Sequence, residues 1–336
     1  MDVADLRLAD VKEPLPEHIT ERLRREIFQD VNLYPRNYDT LISRLAQRHN
    51  AGKDNITLVN GAAEGIDLVA RSFGQDTLIF SPTYYEYYNA VRRNGLKSRM
   101  INCFDGRGFS LDWSQEDIEG RSLVFLCNPN NPFGILQRDE ITGIAEKASG
   151  IVAVDETYID FDGESVVSDM AGSENMLVLR SFSKGYSLAG FRIGYIIAPR
   201  RLKEEIERKK VFCNVSSVSV NAAMIALDEE KYFRGVVEKT KKSKGSMEEF
   251  MDRMGFGVIH THTNCIMLKF RTPEEASAFR EFLESRGILV NQGGGISICG
   301  LDDTFIRMSC GTGEQMEMLR SAVSEYRRAG SSEKVF

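Results

Sequence analysis

What the sequence lacks narrows its function before any motif is read. It has no C-x-x-C pair: six cysteines (Cys103, Cys127, Cys213, Cys265, Cys299, Cys310) lie scattered along the chain. That spacing suits reduced thiols in a reducing cytoplasm better than a disulfide framework. Cys103 and Cys127 sit beside apolar runs, where a thiol serves as a small buried hydrophobe. No apolar stretch approaches the roughly 20 residues needed to span a bilayer. The opening MDVADLRLAD alternates charges and presents no apolar signal region, so a cytoplasmic protein is expected. A basic excess is also missing. The net charge of -6 argues against general affinity for nucleic acid or membranes, though not against a small anion held by local donors. The four histidines (His18, His49, His260, His262) offer one close pair, and no metal site is expected. Gly293-Gly294-Gly295 lacks the G-x-G-x-x-G spacing of a dinucleotide site and reads as a turn. Repeats, low-complexity tracts and long linkers are absent as well.

What the sequence does contain is an alternation. Short apolar runs at Ile56–Val59, Thr77–Phe80, Ser122–Cys127, Ile151–Val154, Met176–Leu179 and Gly194–Ala198 are separated by helix-like stretches. Runs of nearly continuous apolar character suit strands buried on both faces, as in a mostly parallel sheet. Among the intervening segments, Ala62–Phe73 places Ile66, Val69, Ala70 and Phe73 on one helical face. An α/β domain with helices on both sides of the sheet follows. After about Arg200 the pattern changes to one long helical stretch, roughly Val218 to Met254, whose Lys239, Lys241, Lys242 and Lys244 read as a solvated face. Strand, helix, strand, strand and helix then follow, at His262–Phe270, Pro273–Arg286, Ile288–Val290, Thr304–Ser309 and Gly313–Arg327, as in a smaller α+β domain. The expected organisation is an N-terminal arm over 1–32 that packs with the small domain, a large domain over 33–230, and a small domain over 231–336.

Ligands of open α/β sheets bind beyond the carboxyl ends of the strands, and residues of special type recur there. Asn60-Gly61-Ala62-Ala63-Glu64 opens a helix with small residues that would let a phosphate approach its N–H groups; a plain strand-to-helix turn would look the same. Ser81-Pro82-Thr83-Tyr84-Tyr85 offers an aromatic ring for a flat heterocycle, or a tyrosine beside a proline turn. The loop NPNNPFG, Asn128 to Gly134, cannot continue a strand, and an asparagine amide there can donate to a phenolate oxygen. Asp155 ends a buried run and needs a partner, either a protonated pyridine nitrogen or a structural arginine. Ser181, Ser183, Lys184 and Arg192 gather hydroxyls, an amine and a guanidinium among glycines and alanines, a set able to hold a phosphate while the amine reaches a carbonyl carbon. Each signal alone is ambiguous; together they are complementary to one cofactor.

The segment Ser181-Phe182-Ser183-Lys184 followed by Leu188-Ala189-Gly190-Phe191-Arg192-Ile193-Gly194 resembles the S-x-S-K-x-(seven)-R-x-G signature of fold-type I pyridoxal-phosphate enzymes, in particular the histidinol-phosphate aminotransferase family. The NPNNPxG loop and Val154-Asp155-Glu156-Thr157-Tyr158 support it in the same order, and the resemblance runs from about Leu33 to Gly311. It implies a large domain with a mostly parallel sheet flanked by helices, a smaller α+β domain, pyridoxal 5'-phosphate as cofactor and a homodimer with shared sites. By position, Lys184 would hold the cofactor as a Schiff base, Asp155 would pair with its ring nitrogen, and Asn131 and Tyr158 would bond its phenolic oxygen. Tyr84 would stack on the ring, while Ala62, Ala63, Ser181, Ser183 and Arg192 would surround the phosphate. Tyr34 resembles a tyrosine lent to the other subunit's phosphate, Arg307 an arginine that clamps the substrate anion, and Asn214 a substrate-pocket position.

The implied reaction is amino-group transfer from histidinol phosphate or a related aromatic donor to a 2-oxo acid such as 2-oxoglutarate. A threonine-phosphate decarboxylase is the alternative within the same fold. A non-catalytic binding protein is disfavoured by the presence of both Lys184 and Asp155. Departures fall near the substrate. The family's N-E-N-P is Val11-Lys12-Glu13-Pro14 here, and the tyrosine-bearing arm that precedes it in many members is missing. The usually acidic residue before Glu64 is Ala63, and the threonine of N-P-T-G is Phe133.

Overall fold

The computed structural model describes residues 3–105, 108–109, 114–295 and 297–332. The apolar runs become the strands of one seven-stranded sheet: β1 (Ile56–Val59), β2 (Asp76–Ser81), β3 (Lys97–Asn102), β4 (Leu123–Cys127), β5 (Ile151–Asp155), β6 (Met176–Ser181) and β7 (Gly194–Ile197). Their spatial order is β1-β7-β6-β5-β4-β2-β3. Neighbours from β3 to β6 pair in parallel, and β7 alone runs against the rest. Every residue of β1, β4, β5 and β7 is buried, which explains why those runs show no polar alternation. The edge strand β3 was not expected. Its sequence, KSRMIN, is mostly exposed and carries no burial pattern to read.

Two apolar layers cover the sheet. One contains Leu58, Leu78, Val124, Val152 and Val178, and the other contains Val59, Ile79, Phe125, Ala153 and Leu177. The period-2 alternation of the strands thus divides each run between two cores. The expected helix at Ala62–Phe73 spans Gly61–Phe73 and buries Ile66, Val69 and Ala70 against the second layer.

The stretch from Val218 to Met254 is two helices rather than one, Ser217–Asp228 and Glu230–Arg253, meeting at Glu229. Its lysines are also less uniform than expected. Lys239 pairs with Glu13 at 2.6 Å, but Lys244 is buried, its ammonium donating to the Thr261 carbonyl with Glu248 at 3.6 Å. Position on a helix, without its tertiary neighbours, misassigned that side chain.

The C-terminal part forms a four-stranded antiparallel sheet of β8 (Gly257–Ile259), β9 (Cys265–Lys269), β10 (Asn291–Gln292) and β11 (Phe305–Ser309), in the order β8-β9-β11-β10. Helices Pro273–Ser285 and Gly313–Ser332 pack with it around Ile266, Leu268, Ile306 and Met308. The chain start joins this part: Ala4–Asp5 pairs in parallel with Ile288–Leu289, and Ser309 N donates to Leu6 O at 2.8 Å. Residues following this short strand cross the mouth of the large sheet. Gly293 and Gly295 take positive φ in the turn expected of the glycine triplet.

Candidate active site

The carboxyl ends of β1, β2, β4, β5 and β6 open onto a cavity of about 560 Å³. All but two of the site residues expected from sequence line it. Ala62 and Ala63 come from the helix start after β1, Tyr84 from the turn after β2, and Asn131 from the loop after β4. Asp155 and Tyr158 come from the end of β5, with Ser181, Ser183, Lys184 and Arg192 from the β6–β7 connection. Arg307 reaches in from β11 of the small sheet.

Backbone strain and glycine choice mark the anion end of this cavity. Gly61 sits at φ +74, and a Cβ there would lie 2.5 Å from Arg192 Nη2, so the guanidinium lies directly over the helix start. Arg192 itself adopts a left-handed backbone (φ 51), an uncommon state for a non-glycine residue and one that clusters at functional sites. Ser181 Oγ accepts from Ser183 N at 3.1 Å, which fixes the hydroxyl beside that helix start. Helix N–H groups, hydroxyls and a guanidinium together form a set able to hold an anion such as a phosphate.

Asp155 is 2% exposed. Burial pushes its carboxyl above the usual range, and donation from Thr157 and Tyr87 pulls it back. Its Oδ1 accepts from Thr157 N at 2.9 Å and its Oδ2 from the Tyr87 hydroxyl at 2.8 Å. Both partners are neutral. A buried carboxylate bonded only to neutral donors suits a cationic ligand, and a protonated pyridine nitrogen is one. The structural arginine that the sequence left open as a partner goes to the next residue: Arg180 pairs with Glu156 at 2.8 Å. Asn131 is buried with its amide oxygen unpartnered.

Lys184 donates to the Ala9 carbonyl of the N-terminal arm. Burial, the largest influence, lowers its ammonium from 10.5 to about 8. Asp10 and Cys265 oppose that shift, and Arg307 and Arg192 reinforce it. An amine near 8 is partly neutral at physiological pH, as a nucleophile toward a carbonyl must be. Arg307 is 2% exposed. It donates to Ser297 Oγ at 2.7 Å, Arg7 O at 3.2 Å and Cys265 Sγ at 3.6 Å, its Nε has no partner, and no carboxylate among the described residues bonds it. These features fit a cofactor with a phosphate, a flat ring, a basic ring nitrogen and an aldehyde.

Two expected residues lie elsewhere. Tyr34 is 75% exposed and packs edge-on against the exposed Phe212. Asn214 is held outside the cavity, donating to Glu64 Oε2 at 2.6 Å and Leu58 O at 3.2 Å. Conversely, Leu8, Ala9, Asp10, Tyr87 and Ser297 line the cavity without having been singled out. Tyr87 lies in the helix Glu86–Arg93 that follows Tyr84, and its ring meets that of Tyr84 edge-on. The arm residues had no readable signal. Among the described residues, no cluster of three or more His, Cys, Asp or Glu is placed to hold a metal, and no helix is long and apolar enough to cross a membrane.

Fold and cavity together define a lysine-centred enzyme of the pyridoxal-phosphate kind. The chain belongs to the family of class I and II aminotransferases, whose profile matches residues 2–323, and its cofactor is pyridoxal 5'-phosphate. It is 33% identical over 300 residues to histidinol-phosphate aminotransferase 2 of Carboxydothermus hydrogenoformans, covering 86% of this chain and 81% of that one. Against the histidinol-phosphate aminotransferase of Bacillus subtilis the identity is 29% over 321 residues, covering 92% and 87%. The fold matches the histidinol-phosphate aminotransferase of Sinorhizobium meliloti in complex with pyridoxal-5'-phosphate with a TM-score of 0.86 at 21% identity, covering 97% and 91%. L-threonine-O-3-phosphate decarboxylase from Porphyromonas gingivalis matches with a TM-score of 0.85 at 22%, covering 97% and 100%; this likeness is one of fold.

Proposed function

We propose that the enzyme transfers the amino group of histidinol phosphate, or of a related aromatic donor, to a 2-oxo acid such as 2-oxoglutarate. The observation that carries this reading is Arg307, a buried guanidinium on the cavity wall that no carboxylate among the described residues bonds. It is a clamp for the anion of a substrate whose amino group must lie at Lys184. The names of the curated relatives support histidinol phosphate as that substrate.

When bound, pyridoxal phosphate supplies an aldehyde that takes up the amino group and a ring that accepts electrons as a bond at Cα breaks. The chain's residues do the rest. Ala62 and Ala63 N–H groups, Ser181, Ser183 and Arg192 would hold the phosphate. Tyr84 would offer its ring to the flat heterocycle, and Asn131 and Tyr158 would donate to the phenolic oxygen. Asp155 would pair with the ring nitrogen. Lys184 would anchor the cofactor through its amine, which is also the base available to take the substrate Cα proton. Arginine at that position would neither anchor nor accept the proton.

We further read the enzyme as a cytoplasmic homodimer of an arm (1–32), a large domain (33–230) and a small domain (231–336). Phe28, Val31, Tyr34, Val211 and Phe212 are all exposed, and Tyr34 meets Phe212 edge-on; such exposed apolar surface suits a second copy, which would receive Tyr34 at its phosphate site. Asn214, fixed by Glu64, would border the substrate side of that junction. Glutamate formation from 2-oxoglutarate, measured with histidinol phosphate, phenylalanine and threonine phosphate as donors, tests the reaction. Turnover of histidinol phosphate, which has no carboxylate to lose, establishes transamination. Carbon dioxide released from threonine phosphate, without glutamate from any donor, would replace this reading with the decarboxylase.

A further inference from the structure

Tyr87 is buried to 1% exposure, with Asp155 and Arg307 at 2% each. Its ring stacks on Phe125 (centroids 5.0 Å, 25°) and meets Tyr84 edge-on (5.9 Å, 89°), which fixes the direction of its hydroxyl. That hydroxyl lies 2.8 Å from Asp155 Oδ2. The other oxygen of the same carboxylate is held by Thr157 N at 2.9 Å. Cys127 and Tyr84 are the remaining titratable neighbours, both neutral because burial raises the thiol and the phenol to about 12. Lys184 and Arg192 line the same cavity.

We propose that Tyr87 is a positioning residue for Asp155, whose hydroxyl keeps the proton shared between carboxylate and cofactor on the ring nitrogen rather than on Asp155. The chemistry is a competition for one proton. A carboxylate that accepts a hydrogen bond is a weaker base, so each donor on Asp155 favours the protonated ring. Thr157 supplies a backbone donor that no substitution removes and a hydroxyl that also lowers the carboxyl's basicity, and Tyr87 is the further side chain whose hydroxyl donates to Asp155. This inference rests on the assignment of Asp155 to the ring nitrogen.

The test uses holoenzyme carrying cofactor labelled with nitrogen-15 in the ring, comparing wild type with Tyr87→Phe, Tyr87→Leu and Asp155→Asn. Phenylalanine keeps the stacked ring and deletes only the donor. The expected result for Tyr87→Phe is a ring-nitrogen resonance moved toward the unprotonated position. With it, kcat falls about tenfold, the effect of one pKa unit, while KM for the amino donor stays within about twofold. If Tyr87→Phe leaves the resonance at the wild-type position while Asp155→Asn moves it, the proposal is overturned and the role of Asp155 stands. The proposal is also overturned if only Tyr87→Leu loses activity, since Tyr87 then merely packs. If Asp155→Asn leaves the resonance unmoved, the assignment of Asp155 itself fails, and Tyr87 falls with it.

Discussion

Substituting Gly61 by alanine probes the phosphate cradle at its tightest point. Two costs can be worked from the structure. An alanine at φ +74 adopts a left-handed conformation worth about 1–2 kcal/mol against an L-residue. Its Cβ would also stand 2.5 Å from Arg192 Nη2 and 3.0 Å from Cζ, so the end of that side chain must swing away. Losing one charge-assisted hydrogen bond to phosphate costs about 1.5–3 kcal/mol, and every 1.4 kcal/mol is tenfold in affinity. Gly61→Ala is therefore expected to lower stability to denaturant by about 1–2 kcal/mol and to weaken pyridoxal phosphate binding about ten- to hundredfold. Equilibrium dialysis of the apoenzyme reads the second effect. A double-mutant cycle identifies its route, because in an Arg192→Ala background there is no guanidinium left to displace. The cofactor affinity of the double variant should then match Arg192→Ala. Additive losses, or wild-type affinity in Gly61→Ala alone, would refute the idea that the glycine exists to seat Arg192.

Lys184→Ala and Lys184→Arg should both lose borohydride-fixable cofactor and reduce activity to background, as mass spectrometry and the glutamate assay would report; retained labelling would point to another lysine. Because the Lys184 ammonium sits at about 8 instead of 10.5, its neutral fraction is about a tenth at pH 7 and rises as protons are removed. The rate at which apoenzyme captures pyridoxal phosphate should accordingly climb with pH and level off above about 8, and a rise continuing to the ordinary lysine range would contradict the desolvated site. Arg307→Lys keeps a charge but loses the planar fork, so KM for anionic donors should rise about tenfold or more with a smaller change in kcat. Phe212→Glu places a charge in the exposed apolar group around Tyr34 and should shift the sedimenting species toward monomer.

The buried strands were legible because a strand covered on both faces must be apolar along its whole length: of the six expected runs one matches its strand end for end, three differ by one end residue and two by two. β3 was invisible because its exposed KSRMIN carries no such constraint. The cavity was legible for a topological reason: parallel strands deliver their carboxyl ends to one edge, so residues far apart in sequence but alike in position converge. Arg307 was found through resemblance, since nothing in Phe305-Ile306-Arg307-Met308-Ser309 says that its guanidinium enters the cavity from the other sheet. Lys244 and the arm fall in the same class. Their surroundings come from segments that sequence patterns leave unrelated, and burial of a charged residue is decided by those surroundings.

The arm that carries Arg7 and Ala9 has a practical consequence for handling the protein. Its carbonyls occupy the guanidinium of Arg307 and the ammonium of Lys184, while its first residues are stitched to Ile288 and Leu289. The stretch from Arg7 to Asp10 is therefore part of the wall that holds the reaction, and cutting it out would alter the reaction vessel itself.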